Sequence, residues 1–284
     1  MQEEKRSETM SYQDLSEEGK KALSEAGIEE ASVDSWYLLE YVTKMSRSQF
    51  FLKREQKAAL EEQQQYFELI QKRAQHIPLQ YIIGEQEFMG LPFTVNKNVL
   101  IPRQDTEVLT ELALAYVKGK KVLDMCTGSG CIAVSLMHYG QPEECHAADI
   151  SAEALEVARG NAERNQAEIK WIESNLFENI TEQYDVIVSN PPYIRPDVIE
   201  TLMPEVREFE PMKALDGGSD GLLFYRQITE GAVKHLNKGG YLLYEIGYDQ
   251  AAEVTEIMKK NGFCHISCQK DYAGNDRVVF GQYK

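Results

Sequence analysis

From about Thr106 onward, short β-rich runs alternate with longer amphipathic segments, and this alternation limits the possible folds more than any other feature of the chain. Strands joined through helices are predicted to lie parallel in one sheet, with helices on both faces. Only a loop separates the runs at 263–268 and 277–283, so these two are predicted to pair antiparallel. The other predicted strands are 121–124, 145–149, 169–173, 185–189 and 241–246, and the predicted helices are 151–165, 221–236 and 249–261. The expected fold class is α/β, with a mostly parallel, Rossmann-like sheet and an antiparallel edge strand.

The N-terminal part of the chain has a different pattern. Apolar residues recur there at helical spacing, as in Leu38, Tyr41, Val42 and Met45. Glycine and β-branched residues are sparse, so residues 1–78 are predicted to form a small helical domain. Two β-rich runs flank residues 84–92, which predicts a β-hairpin linker over 79–101. Residues 102–284 then form the α/β domain.

The composition argues against several classes of protein. No apolar run approaches the roughly 20 residues of a membrane span, and the charged N-terminus lacks the apolar centre of a secretory signal. A cytoplasmic protein is therefore expected. The net charge of −16 opposes non-specific binding to nucleic acid. The five cysteines form no C-x-x-C pair and the five histidines are scattered, so neither a disulfide framework nor a metal site is predicted.

A glycine-rich turn follows the first predicted strand of the sheet. It consists of Cys126, Thr127, Gly128, Ser129 and Gly130, and it leads into a helix, so its backbone and free amides can approach a ligand. Asp149 ends the second strand, where a carboxylate can accept hydrogen bonds from both hydroxyls of a ribose. The glycines are closer together than in the dinucleotide fingerprint. The pattern therefore favours a nucleotide-like cofactor without a pyrophosphate, with a plain tight turn as the alternative.

The fourth predicted strand runs directly into Asn190-Pro191-Pro192-Tyr193, hereafter the tetrapeptide. The carboxyl ends of the strands line the ligand crevice of a doubly wound sheet, so the tetrapeptide is predicted to face the cofactor. The Asn190 side chain and the Pro191 carbonyl offer two acceptors, and Tyr193 offers an aromatic face. These groups suit a planar –NH2 group, because fixed acceptors favour the positive charge that develops when its nitrogen attacks. The alternative is a proline pair that only ends the strand.

Residues 120–193 resemble class I S-adenosylmethionine-dependent methyltransferases, whose amino-methylating branch carries Asn-Pro-Pro-Tyr at this place. Three further segments, 98–107, 210–218 and 271–277, are similar to segments of the release-factor glutamine methyltransferases, the HemK/PrmC family. With the helical N-terminal domain, the resemblance extends over essentially the whole chain. It implies that a methyl group passes from S-adenosylmethionine to the side-chain amide nitrogen of the Gly-Gly-Gln glutamine in peptide chain release factors.

The resemblance also implies how the cofactor is held. Residues 126–130 would surround its methionine part, Asp149 would hold its ribose, and Asn175 and Leu176 would flank its adenine. The family usually has aspartate at the position of Asn175 and glycine at that of Cys126. Cys126 is therefore expected to fit only if its backbone does not need a positive φ angle.

On the substrate side, the resemblance assigns catalysis and amide binding to Asn190, Pro191, Pro192 and Tyr193, with Asn190 also beside the cofactor. Arg103 lies in one of the similar segments and is expected to bind substrate. The helical domain and the linker are expected to recognise the body of the release factor, with no membrane and no direct nucleic-acid contact. An adenine-N6 methyltransferase acting on nucleic acid is the main alternative, since adenine also carries a planar –NH2 group. A non-catalytic binding module is a second.

Overall fold

The computed structural model describes residues 9–284. Its helices are α1 (Tyr12–Glu25), α2 (Ala31–Thr43), α3 (Arg47–Lys53), α4 (Leu60–Arg73), α5 (Leu79–Ile83), α6 (Gln104–Val117), α7 (Cys131–Gly140), α8 (Ala152–Arg164), α9 (Pro196–Ile199), α10 (Pro204–Phe209), α11 (Leu223–His235) and α12 (Ala251–Lys260). Its strands are β1 (Glu85–Phe88), β2 (Leu91–Thr94), β3 (Lys121–Met125), β4 (Glu144–Asp149), β5 (Lys170–Glu173), β6 (Tyr184–Ser189), β7 (Leu236–Glu245), β8 (Phe263–Lys270) and β9 (Asp276–Tyr283). These elements fall into two compact units. The helical unit contains the described residues up to Gly84 together with α10, and the sheet unit contains Glu85–Met203 and Glu210–Lys284.

The helical unit is built around apolar faces of α1, α2 and α4. Its fully buried side chains include Leu15, Leu23, Leu38, Leu39 and Tyr66. The start of α1 is stabilised by a capping box, in which the Ser11 hydroxyl and the Asp14 carboxylate each bond the other's backbone amide. Gly19 lets α1 approach Tyr66, because an added Cβ would lie 1.9 Å from the phenol oxygen.

A buried ion-pair network joins α10 to the rest of the helical unit. Arg73 donates from Nε to Asp34 Oδ2 at 2.6 Å and from Nη2 to Glu205 Oε1 at 2.7 Å. Burial raises the pKa of Glu205, but the hydrogen bond and charge of Arg73 outweigh it and hold that pKa below its ordinary value. Helix α10 follows four of the parallel strands in sequence, yet it belongs to the helical unit. The hydrophobic pattern of the sequence did not indicate this.

The predicted hairpin linker is shorter than expected, because residues 79–83 are helical. Pro78 precedes the short helix α5, and Gly84 ends it in the left-handed conformation at φ 82°. Ile82 and Ile83 of this β-rich run pack against the helical core, and the run does not form a strand. The hairpin itself is β1 paired antiparallel with β2, from Glu85 opposite Thr94 to Phe88 opposite Leu91.

The sheet unit contains seven strands in the order β5-β4-β3-β6-β7-β9-β8. The first five strands are parallel, and β9 pairs antiparallel with both β7 and β8, which confirms the expected α/β sheet with an antiparallel edge. Along the chain, β4 and β5 are added on one side of β3, and β6 and β7 are then added on its other side. This reversal opens a crevice at the carboxyl ends of the strands. In the described part of the chain, no helix is long and apolar enough to cross a membrane.

Candidate cofactor and amide site

Four strand ends meet at the same edge of the sheet. Met125 at the end of β3 pairs with Ala148 of β4 on one side and with Ser189 at the end of β6 on the other. Ser189 in turn pairs with Tyr244 near the end of β7. The glycine-rich turn, Asp149 and the tetrapeptide therefore leave the sheet side by side, since neighbouring strands are about 4.8 Å apart.

The glycine-rich turn is held by its own backbone. The Thr127 amide donates to the Ala148 carbonyl, and the Gly130 amide donates to the Thr127 carbonyl. Gly130 has a φ of 78°, and a Cβ there would lie 3.0 Å from that of Ala158. Helix α7 begins at Cys131, so its free amides are directed toward the crevice.

Cys126 has a φ of 63°, in the left-handed region that favours glycine. The condition placed on this residue by the sequence, a backbone without a positive φ, is therefore not met. A left-handed conformation costs a residue with a Cβ about 1–2 kcal/mol, so Cys126 carries strain that glycine would not. Its side chain offsets part of this cost because it packs against the core that includes Met125 and Tyr244.

Asp149 occupies the end of β4, as predicted. Its Oδ2 accepts from the Gly128 amide and its Oδ1 from the Ser151 amide, both at 2.9 Å. Each carboxylate oxygen keeps a further lone pair for a ligand hydroxyl. Burial raises the pKa of Asp149, against the opposing effect of the backbone hydrogen bonds. The carboxylate is thus fixed in direction by the turn it faces.

Asp124 is a further candidate site residue, which no motif in the sequence indicated. It is fully buried, and its Oδ2 accepts from the Thr127 hydroxyl at 2.6 Å and from the Ala133 amide at 3.2 Å. Its Oδ1 is buried without a hydrogen-bond partner among the described residues. Burial raises the pKa of Asp124 to about 7. The available signal was a single acidic residue inside an otherwise apolar buried strand.

Asn175 and Leu176 follow β5, the neighbour of β4. The Ser174 amide donates to the Asp149 carbonyl, so this segment runs beside the end of β4. Asn175 is exposed and donates to Glu178 Oε1 at 2.8 Å, whereas Leu176 packs against the core. The structure brings Leu176 toward the sheet but directs the Asn175 side chain to a surface partner.

The tetrapeptide is the next part of the site. Pro191 and Pro192 are buried, while Asn190 and Tyr193 are half-buried. Asn190 Nδ2 donates to the Thr106 hydroxyl at 3.2 Å, and the Tyr193 hydroxyl donates to Glu245 Oε1 at 3.2 Å. Burial, followed by the charge of Glu245, raises the pKa of Tyr193, which therefore stays a neutral donor.

Two glycines let a loop pack against the backbone of Tyr193. A Cβ on Gly217 would lie 2.6 Å from Tyr193 Cα, and one on Gly221 would lie 2.5 Å from the Tyr193 carbonyl oxygen. Gln250 also binds this carbonyl through Nε2 at 3.1 Å. The tetrapeptide is therefore held rigidly from a part of the chain that follows it in sequence.

Arg103 precedes α6 and pairs with Glu210. Its Nη2 lies 2.8 Å from both carboxylate oxygens of Glu210, whose side chain is almost fully buried. Arg103 itself remains 42% exposed, so part of the guanidinium is open to a ligand. The structure thus shows an internal partner for Arg103 that the sequence did not indicate.

A separate cluster lies at the start of the strands, away from this site. Ligand atoms of Glu144, His146 and Glu182 lie within 4.8 Å of one another. Lys121 pairs with both carboxylates, and Lys170 pairs with Glu182. Two lysines therefore compete with any cation here, and the absence of a metal site stays a prediction. All five cysteines are free.

Comparisons with known proteins identify the family. The PrmC N-terminal domain matches residues 14–84, and the methyltransferase small domain matches residues 104–205. The release factor glutamine methyltransferase of Clostridium acetobutylicum is 44% identical over 254 residues, which is 87% of this chain and 89% of the relative. That of Geobacter sulfurreducens is 44% identical over 262 residues, 92% of each. The chain belongs to the release factor glutamine methyltransferase family.

A solved structure agrees with this assignment at the level of the fold. A methyltransferase from Pyrococcus furiosus is 20% identical to this chain and superposes with a TM-score of 0.53, covering 69% of this chain and 90% of the other. The family resemblance expected from the sequence is confirmed. The chain is an S-adenosylmethionine-dependent methyltransferase, as its motifs predicted.

The described residues fit that cofactor. S-adenosylmethionine supplies an electrophilic methyl group together with an ammonium group and two ribose hydroxyls. Asp124 offers a buried carboxylate oxygen without a partner in the described chain, which suits an ammonium group. Asp149 offers a carboxylate whose direction is fixed by two backbone amides, which suits the hydroxyls. The turn between them has the positive-φ glycines Gly128 and Gly130, which give close backbone access.

Proposed function

We propose that the chain methylates the side-chain amide nitrogen of the glutamine in the Gly-Gly-Gln motif of peptide chain release factors. The names of the curated relatives support this substrate. The observation that carries the proposal is the pairing of Met125 with Ser189, which brings the tetrapeptide beside the glycine-rich turn. An amide held by the tetrapeptide would therefore lie next to the cofactor.

Within this proposal, the tetrapeptide binds and orients the –NH2 group. Asn190 Oδ1 and the Pro191 carbonyl each accept one N–H, and the Tyr193 ring covers the flat face of the amide. The amide nitrogen is a poor nucleophile because its lone pair is delocalised. Two acceptors stabilise the positive charge that develops on nitrogen as it attacks, and the fixed geometry supplies the in-line approach. Pro192 stiffens the turn.

The cofactor contacts are proposed from the same geometry. Residues 126–130 surround the methionine part, Asp149 accepts from the ribose hydroxyls, and Leu176 contacts the adenine. Asn175 contributes less than expected, because its side chain already donates to Glu178. Arg103 contacts the substrate with the exposed part of its guanidinium, while Glu210 fixes its direction.

We further propose that the helical domain, predicted over residues 1–78, recognises the body of the release factor. It exposes three large apolar side chains on α3 and at the start of α4: Phe51 is 63% exposed, Leu52 84% and Leu60 61%. Apolar side chains that together form an exposed patch commonly mark binding surfaces. A release factor substrate would place the enzyme in the cytoplasm, and the acidic net charge of −16 favours a protein partner over nucleic acid.

Mass spectrometry of the substrate tests the main proposal. Purified release factor, enzyme and S-adenosylmethionine are incubated, and the Gly-Gly-Gln peptide is expected to gain one methyl group on the glutamine side chain. A release factor with glutamate in place of that glutamine is the matched control and should gain none. An adenine-containing oligonucleotide tests the alternative substrate. Methylation of the oligonucleotide but not of the release factor would overturn the proposal.

The recognition surface is tested with the Phe51→Ala, Leu52→Ala double substitution. This variant is expected to raise KM for intact release factor while leaving kcat/KM for a short Gly-Gly-Gln peptide unchanged, since the peptide lacks the body that α3 would contact. Equal loss with both substrates would show that α3 supports the active site instead. An unchanged KM for intact release factor would remove the surface from the proposal.

A further inference from the structure

Two hydrogen bonds lie behind the tetrapeptide, and they lead to Thr106 and Glu245, which are not among the residues proposed above to contact the cofactor or the substrate. Asn190 Nδ2 donates to Thr106 Oγ1 at 3.2 Å, and the Tyr193 hydroxyl donates to Glu245 Oε1 at 3.2 Å. Glu245 is 2% exposed. Its Oε2 is buried without a hydrogen-bond partner in the described chain, and the nearby Thr106 hydroxyl lowers the pKa of the carboxyl.

The negative charge on Glu245 favours one direction for the hydroxyl groups beside it. An ionised carboxylate can only accept, so Tyr193 donates to Glu245, and the same charge favours a Thr106 hydroxyl that directs its proton toward the Glu245 oxygen without a partner. The Thr106 oxygen then presents only lone pairs to Asn190. Asn190 must therefore turn its –NH2 toward Thr106 and its Oδ1 away from it.

We propose that Thr106 and Glu245 are positioning residues that fix the side-chain orientation of Asn190, so that Oδ1 rather than Nδ2 faces the amide to be methylated. The inference rests on the proposed function and adds the interactions that orient Asn190 as a hydrogen-bond acceptor. A flipped Asn190 would present N–H groups to the N–H groups of the substrate. Such a site would repel the amide that it must hold.

The protonation state of Glu245 controls the orientation of the Asn190 side chain. Burial raises the pKa of Glu245 to about 7, opposed by the hydrogen bonds from Thr106 and Tyr193 and by the charge of Arg277. The titratable groups that face it are Asp105 on α6, Cys131 on α7, Tyr193, Tyr225 on α11 and Arg277 on β9. A protonated Glu245 can donate to Thr106, which frees Thr106 to donate to Asn190 and removes the bias toward the acceptor orientation. Turnover should therefore rise with pH as Glu245 loses its proton.

Isosteric substitutions in the full-length chain test the inference. Thr106→Val removes the hydroxyl and keeps the shape of the side chain, and it is expected to lower kcat roughly 10- to 100-fold, the range typical of groups that orient a directly acting side chain. Thr106→Ser restores the hydroxyl and should recover most of that loss. Thr110→Val is the matched control, because it removes a buried hydroxyl one turn further along α6 that bonds only the Thr106 carbonyl. Calorimetry should give the same S-adenosylmethionine affinity for all three variants.

The pH profile separates positioning from mere support of the fold. Wild-type kcat is expected to rise with pH around 7, and Glu245→Gln should be slower and lack that rise, with the Gly-Gly-Gln peptide bound more weakly in calorimetry. Thr106→Val as active as Thr110→Val, no recovery in Thr106→Ser, or an unchanged pH profile in Glu245→Gln would each overturn the inference. A wild-type enzyme that methylates no release factor would instead refute the proposed function, so the two failures are distinguishable.

Discussion

Arg73 offers a direct test of how the helical unit is held together. It is the only cation in the described chain that bonds both Asp34 and Glu205, and the three side chains are 7%, 9% and 13% exposed. Arg73→Met keeps most of the volume but leaves two carboxylates without their partner. Breaking a buried ion pair from one side costs about 3–5 kcal/mol, so the helical unit should lose about that much stability.

Arg54 supplies the matched control. Its pair with Glu55 lies on the surface of the same unit, with side chains 49% and 77% exposed. Exposed pairs contribute about 0–1 kcal/mol, so Arg54→Met should change the free energy of unfolding by less than that. Arg73→Lys keeps the charge but not the two-directional guanidinium, and it should fall between the two.

The two tryptophans make the measurement specific to the helical unit. Trp36 is buried in its core beside Phe50, at 5.2 Å between ring centroids, whereas Trp171 lies in β5 of the sheet unit. In a Trp171→Phe background, fluorescence during urea unfolding therefore reports on the helical unit alone. If Arg73→Met and Arg54→Met unfolded within about 1 kcal/mol of each other, the buried network would not stabilise the unit as argued.

The same network has a predictable pH dependence. Arg73 holds the pKa of Glu205 below its ordinary value of 4.5, despite the opposing effect of burial. A carboxyl whose folded pKa is depressed contributes stability above its unfolded pKa and loses it as the pH falls through the folded value. The helical unit should therefore lose stability below about pH 4.5, and Arg73→Met should flatten that part of the profile.

Three further substitutions test the site. Asp149→Ala should weaken S-adenosylmethionine binding by about 1.5–3 kcal/mol, and unchanged affinity in calorimetry would mean that the ribose is held elsewhere. Asn190→Ala removes one acceptor from the reacting amide, so kcat should fall roughly 10²–10³-fold with little change in cofactor affinity; near-normal turnover in a methylation assay would contradict its role. Cys126→Gly should be about 0.5–1 kcal/mol more stable than Cys126→Ala in urea unfolding, because both lose the thiol and only glycine relieves the positive φ. Equal stability would show that the backbone is not strained.

The sheet could be predicted because its evidence is local. Each buried strand carries its own apolar run and each helix its own period, and right-handed connections between them leave few arrangements. The site positions that follow strand ends, Asp149 and the tetrapeptide, could be placed for the same reason. Residues 79–83 were assigned to a hairpin because three apolar β-formers stand in a row. Pro78 and Gly84 are helix-boundary signals on either side of this segment. Its contacts with the helical core favour the helix over a strand.

Contacts between distant residues could not be predicted in this way. Arg73 and Glu205 are 132 positions apart, and Asn190 and Thr106 are 84 apart. Neither pair belongs to a period, so nothing in the sequence indicates that the two residues of either pair meet, although Asn190 itself could be placed after a strand end. For Cys126, the family's usual glycine at this position raises the question of a positive φ angle, and the value itself comes from the structure.

Charged residues inside apolar strands are nevertheless a readable signal. Asp124 directly follows the buried Val122 and Leu123, and Glu245 directly follows the buried Leu243 and Tyr244. Removing a carboxylate from water costs several kcal/mol, so a fold tolerates it only where hydrogen bonds or a bound cation compensate. Asp124 and Glu245 each keep one buried oxygen without a close partner in the described chain. Asp124 faces the turn that fits the cofactor, so a bound ammonium group can compensate for its buried oxygen. Glu245 lies behind the proposed amide pocket, where a change of its protonation state can do the same.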